Sequence, residues 1–355
     1  MKILYAVQGT GNGHITRAAE IIPALEKRGM VDVLVSGSQS DILLPKYPKY
    51  TYRGISFVFG NNGGIDLWST FKINRKLHFI KEIRAVPVQD YDLIINDFEP
   101  ITAWAARLKR VPIISLSHQS ALMQKVVPKP NHRDWLGSLL LRFYAPVREK
   151  VSFHFKPYGE RIFTPIIRSK VRHAETYKDK HITVYLPAYS DKKILKVLKH
   201  FPLFEWHLFS KHALKDYKYK KHVKVFTLDD DRFVESMAKS QAVLCGAGFE
   251  TPAEALYLRK KLMVVPMKNQ YEQHYNAASL AEMGVPVLPS FKKKHVYTIW
   301  KWLKSSERVR VAYEDMTQQA IDELILIYIE KFVPKTSAEI EIAYGNGGVV
   351  VSRGF

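Results

Sequence analysis

The chain has 355 residues and a mass of 41.0 kDa, about twice the usual size of one domain, which points to two domains. With 46% hydrophobic and 25% charged residues it is neither a disordered nor a collagen-like chain, and its single cysteine, Cys245, rules out intrachain disulfides and multi-thiolate metal centres, as befits a reducing cytoplasm. Fifty-four Lys and Arg against 34 acids leave a formal charge of +20, which favours phosphates, nucleic acid or an anionic membrane as partners.

The first 120 residues alternate short apolar runs with longer amphipathic ones, the pattern of βαβ units on a parallel sheet. Ile3 to Val7 predicts a buried strand, followed by the loop Gln8-Gly9-Thr10-Gly11-Asn12-Gly13-His14 and a helix to Arg28. Pro23 predicts a kink near Ile22 or a restart of that helix. Strands are expected at Val31–Ser36 and Ile55–Phe59, then a glycine-rich turn and a helix from Asp66 to Ala85. Leu93–Asn96 is a strand ending in Asp97-Phe98-Glu99-Pro100, followed by a helix through Arg107 and a strand over Pro112–Leu116.

Between Arg107 and Arg172 stand 14 Lys or Arg against three acids, a local charge of +11. Within this stretch Trp135, Leu139 and Phe143 recur at helical spacing, which reads best as a core-facing stripe under a solvated basic face. The other reading is a surface resting on anionic lipid. After the strand Val151–Phe155, residues 164–181 are polar, basic and aperiodic, as expected of an interdomain linker.

A second alternating series follows, with strands at Ile182–Leu186, Glu205–Phe209, Val223–Phe226, Ala242–Leu244 and Leu262–Val265. Helices are expected at Asp191–Lys199, Asp230–Lys239, Glu250–Leu258 and Tyr271–Glu282. The division is therefore a first domain over residues 1–163, a linker over 164–181 and a second domain over 182–334. A terminal helix at 313–331 is free to pack back on the first domain, and residues 335–355 form a tail or hairpin. Two open α/β sheets of this kind place ligands where the carboxyl ends of their strands face a shared cleft.

Four constellations stand at such carboxyl ends. Gly9-Thr10-Gly11-Asn12-Gly13-His14 lets backbone approach a ligand closely, but it lacks the third glycine of the dinucleotide fingerprint. Ser36-Gly37-Ser38 supplies no acid after the second strand, which argues against a nicotinamide cofactor. His14 closes the loop and suits proton abstraction at neutral pH. Asp97 either orients His14 or caps the next helix together with Glu99, and both readings stand. His118, in Ser117-His118-Gln119-Ser120, is an alternative base or an incidental neighbour of a capping serine.

The fourth is Cys245-Gly246-Ala247-Gly248-Phe249-Glu250-Thr251-Pro252-Ala253-Glu254, continued by Glu272-Gln273 at the next helix start. Bare amides at a helix N-terminus suit a diphosphate, and Glu254 one turn in can accept from vicinal hydroxyls; a capping box from Thr251 to Glu254 is the structural alternative. Asp229-Asp230-Asp231 reads as a helix cap and dipole complement, not a metal site.

In these motifs, in order and spacing over residues 1–330, the sequence resembles the two-domain GT-B nucleotide-sugar glycosyltransferases, MurG-like enzymes and UDP-glycosyltransferases among them. The resemblance implies two Rossmann-like, doubly wound domains facing a central cleft. It implies a UDP-sugar donor on the second domain, with Gly246, Ala247, Gly248 and Thr251 at the diphosphate, Glu254 at the ribose, Glu272 and Gln273 at the sugar, Phe226 near the base, and Ser190 or Tyr189 at a phosphate. On the acceptor side it implies Gly11, Asn12, Gly13, Arg17, Glu99, His118 and Gln119, with His14 as base and Asp97 as its partner. Gln119 stands where the MurG pattern carries an acid, which weakens any claim on the peptidoglycan intermediate. The expected activity is inverting transfer to a hydroxyl acceptor, lipid-linked acceptors included, with no bound metal and no cofactor beyond the co-substrate. A UDP-sugar 2-epimerase of the same fold is the alternative. No nucleic-acid-binding motif accompanies the charge. No leader or membrane-length apolar run appears, so a cytoplasmic protein, with peripheral membrane contact open to it, is expected.

Overall fold

The computed structural model describes residues 1–10, 12–37, 44, 46–54, 59–60, 64–65, 76–130, 135–177, 179–334, 340–345 and 348–353. Among them two parallel-rich sheets carry the fold. The first contains β1 (Lys2–Gln8), β2 (Met30–Ser36), β3 (Tyr50–Tyr52), β6 (Leu93–Asp97), β7 (Ile113–Ser117), β8 (Glu149–Phe153) and β9 (Ile162–Phe163). Their order is β3-β2-β1-β6-β7-β8-β9, parallel at every pairing. Ile3 to Val7 are fully buried, as a strand covered by helices on both faces requires, and so they read as one apolar run. The covering helices are α1 (Asn12–Glu26), α2 (Lys76–Ala85), α3 (Pro100–Lys109), α4 (His118–Leu122) and α5 (Trp135–Tyr144).

The second sheet contains β10 (His181–Tyr185), β11 (Glu205–Ser210), β12 (Tyr217–Tyr219), β13 (Val223–Thr227), β14 (Ala242–Gly246) and β15 (Lys261–Val265), ordered β12-β13-β11-β10-β14-β15. Only the edge strand β12 runs antiparallel. Around it lie α7 (Asp191–Leu198), α8 (Asp230–Lys239), α9 (Glu250–Tyr257), α10 (Tyr271–Glu282) and α11 (Val296–Lys304). Between the sheets the chain forms a short helix α6 (Ser169–Arg172), and the terminal helix α12 (Thr317–Phe332) packs on the first sheet's side, where Asp322 accepts from Arg28 at 2.5 Å.

Strand order reverses between β1 and β6 in one sheet and between β10 and β14 in the other. At such switch points the flanking loops diverge and leave a crevice at the carboxyl ends. The doubly wound α/β architecture is the one the sequence predicts.

Several elements differ from expectation. The third strand of the first sheet is Tyr50–Tyr52, while residues 55–58 of the expected strand and 66–75 of the expected helix lie outside the described residues. Tyr50 and Tyr52 pack on the core by alternation, a weaker signal than the apolar run that follows. Phe59–Gly60 (β4) instead pairs with Gly64–Ile65 (β5) in a short antiparallel ladder. Pro23 sits inside α1 without ending it. Helix α11 is unforeseen because lysines interrupt its apolar pattern. Ile340–Gly345 and Gly348–Arg353 pair antiparallel as a hairpin, one of the two forms expected there. Of the expected stripe on α5, Leu139 and Phe143 do not face the core, at 49% and 50% exposed, and Leu141 and Tyr144 are buried instead, while the Trp135 side chain lies outside what is described.

Candidate active site

A cleft of about 1110 Å³ opens between the two switch points, lined from both sheets. That exceeds the roughly 300–1,000 Å³ of ordinary small-molecule pockets and leaves room for two substrates. Described residues of the loop after β1 and of α1 form one wall: Thr10, Asn12, Gly13, His14 and Arg17. Gly11 lies outside the described residues.

His14 Nδ1 lies 2.9 Å from Asp97 Oδ1, joining the helix after β1 to the end of the adjacent β6. Arg17, one turn along α1, donates from Nη2 to both Asp97 oxygens at 2.7 and 2.8 Å. Asp97 is fully buried; burial alone would raise its pKa, and the Arg17 charge, with the contacts from His14 and Arg17, outweighs it and holds the carboxyl below its usual range. The chain leaves Asp97 through Phe98 at φ 55°, a left-handed turn that side chains seldom adopt. That turn lays the Phe98 ring parallel to His14, with 6.4 Å between centroids.

The far side of His14 faces Gln119, whose Nε2 lies 3.2 Å from His14 Nε2 and donates to Glu272 Oε2 at 3.1 Å. A carboxylate only accepts, so the amide nitrogen is the end turned toward both groups, and His14 Nε2 presents its lone pair. The Gln119 contact thus assigns the ring proton to Nδ1 against Asp97, where Arg17 Nη2 also stands 3.1 Å away. Gln119 Oε1 is buried without a partner among the described residues.

The opposite wall begins at β14. Gly246 and Ala247 continue the strand into the turn, and Ala247 is buried, its carbonyl accepting from Asn276. A Cβ on Gly248 would meet nothing within 4 Å, so this backbone faces open space. Helix α9 starts after Phe249 with no side-chain cap, so the capping box from Thr251 to Glu254 does not form and the first-turn amides are left to the cleft. Glu254 lines the cleft but gives both oxygens to Arg168, at 2.8 Å for the Nη2–Oε2 contact. Ser190, Glu272 and Gln273 also line it, and Gln273 Oε1 accepts from Met267 N at 3.0 Å.

Glu99, Phe226 and Tyr189 do not line the cleft, and His118 does so only with its ring nitrogens already engaged. Glu99 caps α3, accepting from Ile101 N at 2.8 Å and Thr102 N at 2.7 Å, and is fully buried. Phe226 packs edge-on to His207 and against Phe209, while Leu228, two residues on, lines the cleft in its place. His118 reaches the cleft's edge but has both ring nitrogens engaged, by Phe153 O at 2.9 Å and Asn276 Oδ1 at 2.7 Å. Its ring stacks on Phe249 at 3.8 Å, and burial pushes its pKa down to about 4. Tyr189 turns to Phe291 N at 3.2 Å. Asp229 caps α8 through Arg232 N, and Asp230 and Asp231 pair with Lys170, Asp230 with Arg168 as well.

Sequence reasoning missed Arg168 and Glu250. Glu250 opens α9 and bonds Arg17 across the cleft. Burial, with Glu254 nearby, pushes its carboxyl up to about 7 despite Arg17. Its signal was an acid placed inside a loop expected to receive an anion. Arg168 gave no signal, because its partners Glu254 and Asp230 lie 86 and 62 residues away.

The family model described as glycosyl transferase family 1 matches residues 1–301. An uncharacterized glycosyltransferase of Methanosarcina mazei is 24% identical over 320 residues, covering 80% of this chain and 84% of that protein. Among solved structures, the spinosyn forosaminyltransferase SpnP superposes with TM-score 0.54 at 13% identity, covering 94% of this chain and 99% of its own. MurG of Acinetobacter baumannii does so with TM-score 0.51 at 15% identity, covering 92% and 99%. At these identities the structural likeness establishes the shared GT-B fold.

Proposed function

The chain belongs to glycosyl transferase family 1 and is a glycosyltransferase, and on that premise we propose that it moves a hexose or N-acetylhexosamine from a UDP-sugar to a hydroxyl acceptor with inversion and without a metal. The observation that carries this reading is the His14–Asp97 pair on one wall, facing the uncapped first turn of α9 on the other. The donor diphosphate lies against the amides from Gly248 to Thr251, with Ser190 nearby, and the ribose hydroxyls meet Glu254, whose carboxylate keeps lone pairs beyond those bound to Arg168. Glu272 and Gln273 grip the transferred sugar. The acceptor hydroxyl takes over the donor position that the Gln119 amide fills at His14 Nε2, and Gln119 Oε1 accepts from a neighbouring hydroxyl.

In the reaction His14 Nε2 removes the hydroxyl proton as the acceptor oxygen bonds to the anomeric carbon. The bond from that carbon to the diphosphate oxygen breaks on the opposite side, and its electron pair leaves with UDP. Asp97 stabilises the imidazolium, and the positive end of α9 stabilises the departing diphosphate.

His14→Ala tests the assignment. Transfer should fall by at least roughly a hundredfold, the scale of general-base catalysis, while calorimetry finds UDP binding within about twofold of the native protein. Unchanged turnover would remove His14 as base. Release of UDP with a rearranged sugar in the absence of acceptor would favour the 2-epimerase.

A further inference from the structure

Helix α11 lies apart from the cleft. Its inner face, Ile299 and Trp302, is buried in the second domain's core around Trp206, with Val296 and Leu303 packed beside them. Its outer face leaves Tyr297 75% and Trp300 46% exposed. Lys301 and Lys304 are exposed on the same helix, and Lys292, Lys293 and Lys294 are exposed in the turn that leads into it. Residues 283–306 hold these five lysines and no Asp or Glu. Among the described residues none of the five pairs with a carboxylate, and Lys304 Nζ rests 5.8 Å from the centre of the Trp300 ring.

Neither feature serves the fold. Three lysines before a helix N-terminus stand at the positive end of its dipole, where cations destabilise it. Two large rings in water forgo the burial that would stabilise them. Both features match a surface that offers anionic phosphates beside an apolar layer, because Trp and Tyr settle at the headgroup level and ammonium groups gather at anionic lipid.

We propose that α11 and the lysine turn before it form a docking face for an anionic lipid bilayer. A single-stranded nucleic acid is gripped in grooves with stacking platforms. A helix whose exposed indole already carries a lysine ammonium over its ring suits headgroups better. The exposed Leu139 and Phe143 of α5 have only Arg142 between them and no comparable lysine run. The proposal is independent of the transfer reading, since its test measures binding without turnover.

The full chain should sediment with phosphatidylcholine vesicles containing phosphatidylglycerol at least roughly tenfold more strongly than with phosphatidylcholine alone, and added salt should weaken it. Lys292→Glu/Lys293→Glu/Lys294→Glu and, separately, Tyr297→Ser/Trp300→Ser should each cut binding by roughly tenfold or more. Circular dichroism and melting temperature should hold, because these side chains point outward. The proposal is overturned if the native chain ignores anionic vesicles at low salt, or if only Leu139→Ser/Phe143→Ser abolishes binding. It is equally overturned if the lysine variant loses affinity for an oligonucleotide while keeping its affinity for vesicles.

Discussion

Arg17 is the residue on which the candidate site turns. One guanidinium holds Asp97 at the end of β6 and Glu250 at the start of α9, so the charge that keeps the His14 partner ionised also ties α9 to the opposite wall of the cleft. Glu250 is the less settled of the two carboxylates, with burial pushing it from the usual 4.5 up to about 7. Between those values the folded protein holds a proton that the unfolded chain has lost, so stability falls as pH rises through this window and the full penalty stands above pH 7. The penalty is on the order of 3 kcal/mol. Glu250→Gln removes it. Urea titrations at pH 5 and pH 8 should therefore show the variant gaining on the native protein as pH rises, and a constant difference between the two would show that Glu250 does not titrate there. The same carboxylate stands beside the proposed diphosphate, so UDP affinity should weaken above pH 7 in the native protein and stay level in Glu250→Gln.

At the scale of elements, local signals governed what was legible. Continuous apolar strands, glycine turns at carboxyl ends and 3.6-residue spacing fixed the boundaries of α8 and α10 to the residue, because each depends on neighbours within a few positions. The His14–Asp97 contact was also within reach, since a strand-order argument places the ends of β1 and β6 side by side. The Arg17–Glu250 and Arg168–Glu254 pairs were not, because 233 and 86 residues separate the partners and no local pattern links them. For His118 the residue type suggested chemistry, and two distant partners, Phe153 O and Asn276, gave it packing instead. Glu99 is the other case in which an acid at a carboxyl end became structure. Its side chain closes the first turn of α3 with two amides and the Thr102 hydroxyl. Glu99→Ala should therefore cost about 1–3 kcal/mol in denaturant titration and leave the KM values of both substrates within about twofold. A selective rise in acceptor KM at unchanged stability would return Glu99 to the acceptor site.

For the whole molecule the question is how the two walls stay in register. Besides the ion pair at Arg17, the seam carries Gln119 to Glu272, His118 to Asn276 and His154 to Ser279, the last at 2.8 Å. Leu122 and Leu141 of the first domain close on Tyr275 of the second. At the edge of that apolar contact Gly137 of α5 meets Tyr271, and a Cβ there would come within 2.3 Å of the ring and 2.8 Å of its Cβ. The ring can turn, but its Cβ moves only with the backbone, so an added methyl must push the start of α10 away from α5. Glu272 follows Tyr271 directly, and the shift would carry it off Gln119 while leaving the His14–Asp97–Arg17 cluster intact within its own domain. Gly137→Ala should therefore loosen donor binding by roughly tenfold, through misplacement of sugar contacts by about 1 Å. Small-angle scattering should find a larger radius of gyration, and the pH profile of kcat should keep its shape, because His14 and Asp97 are untouched. If donor KM and scattering both match the native protein, α5 and α10 do not set the width of the cleft.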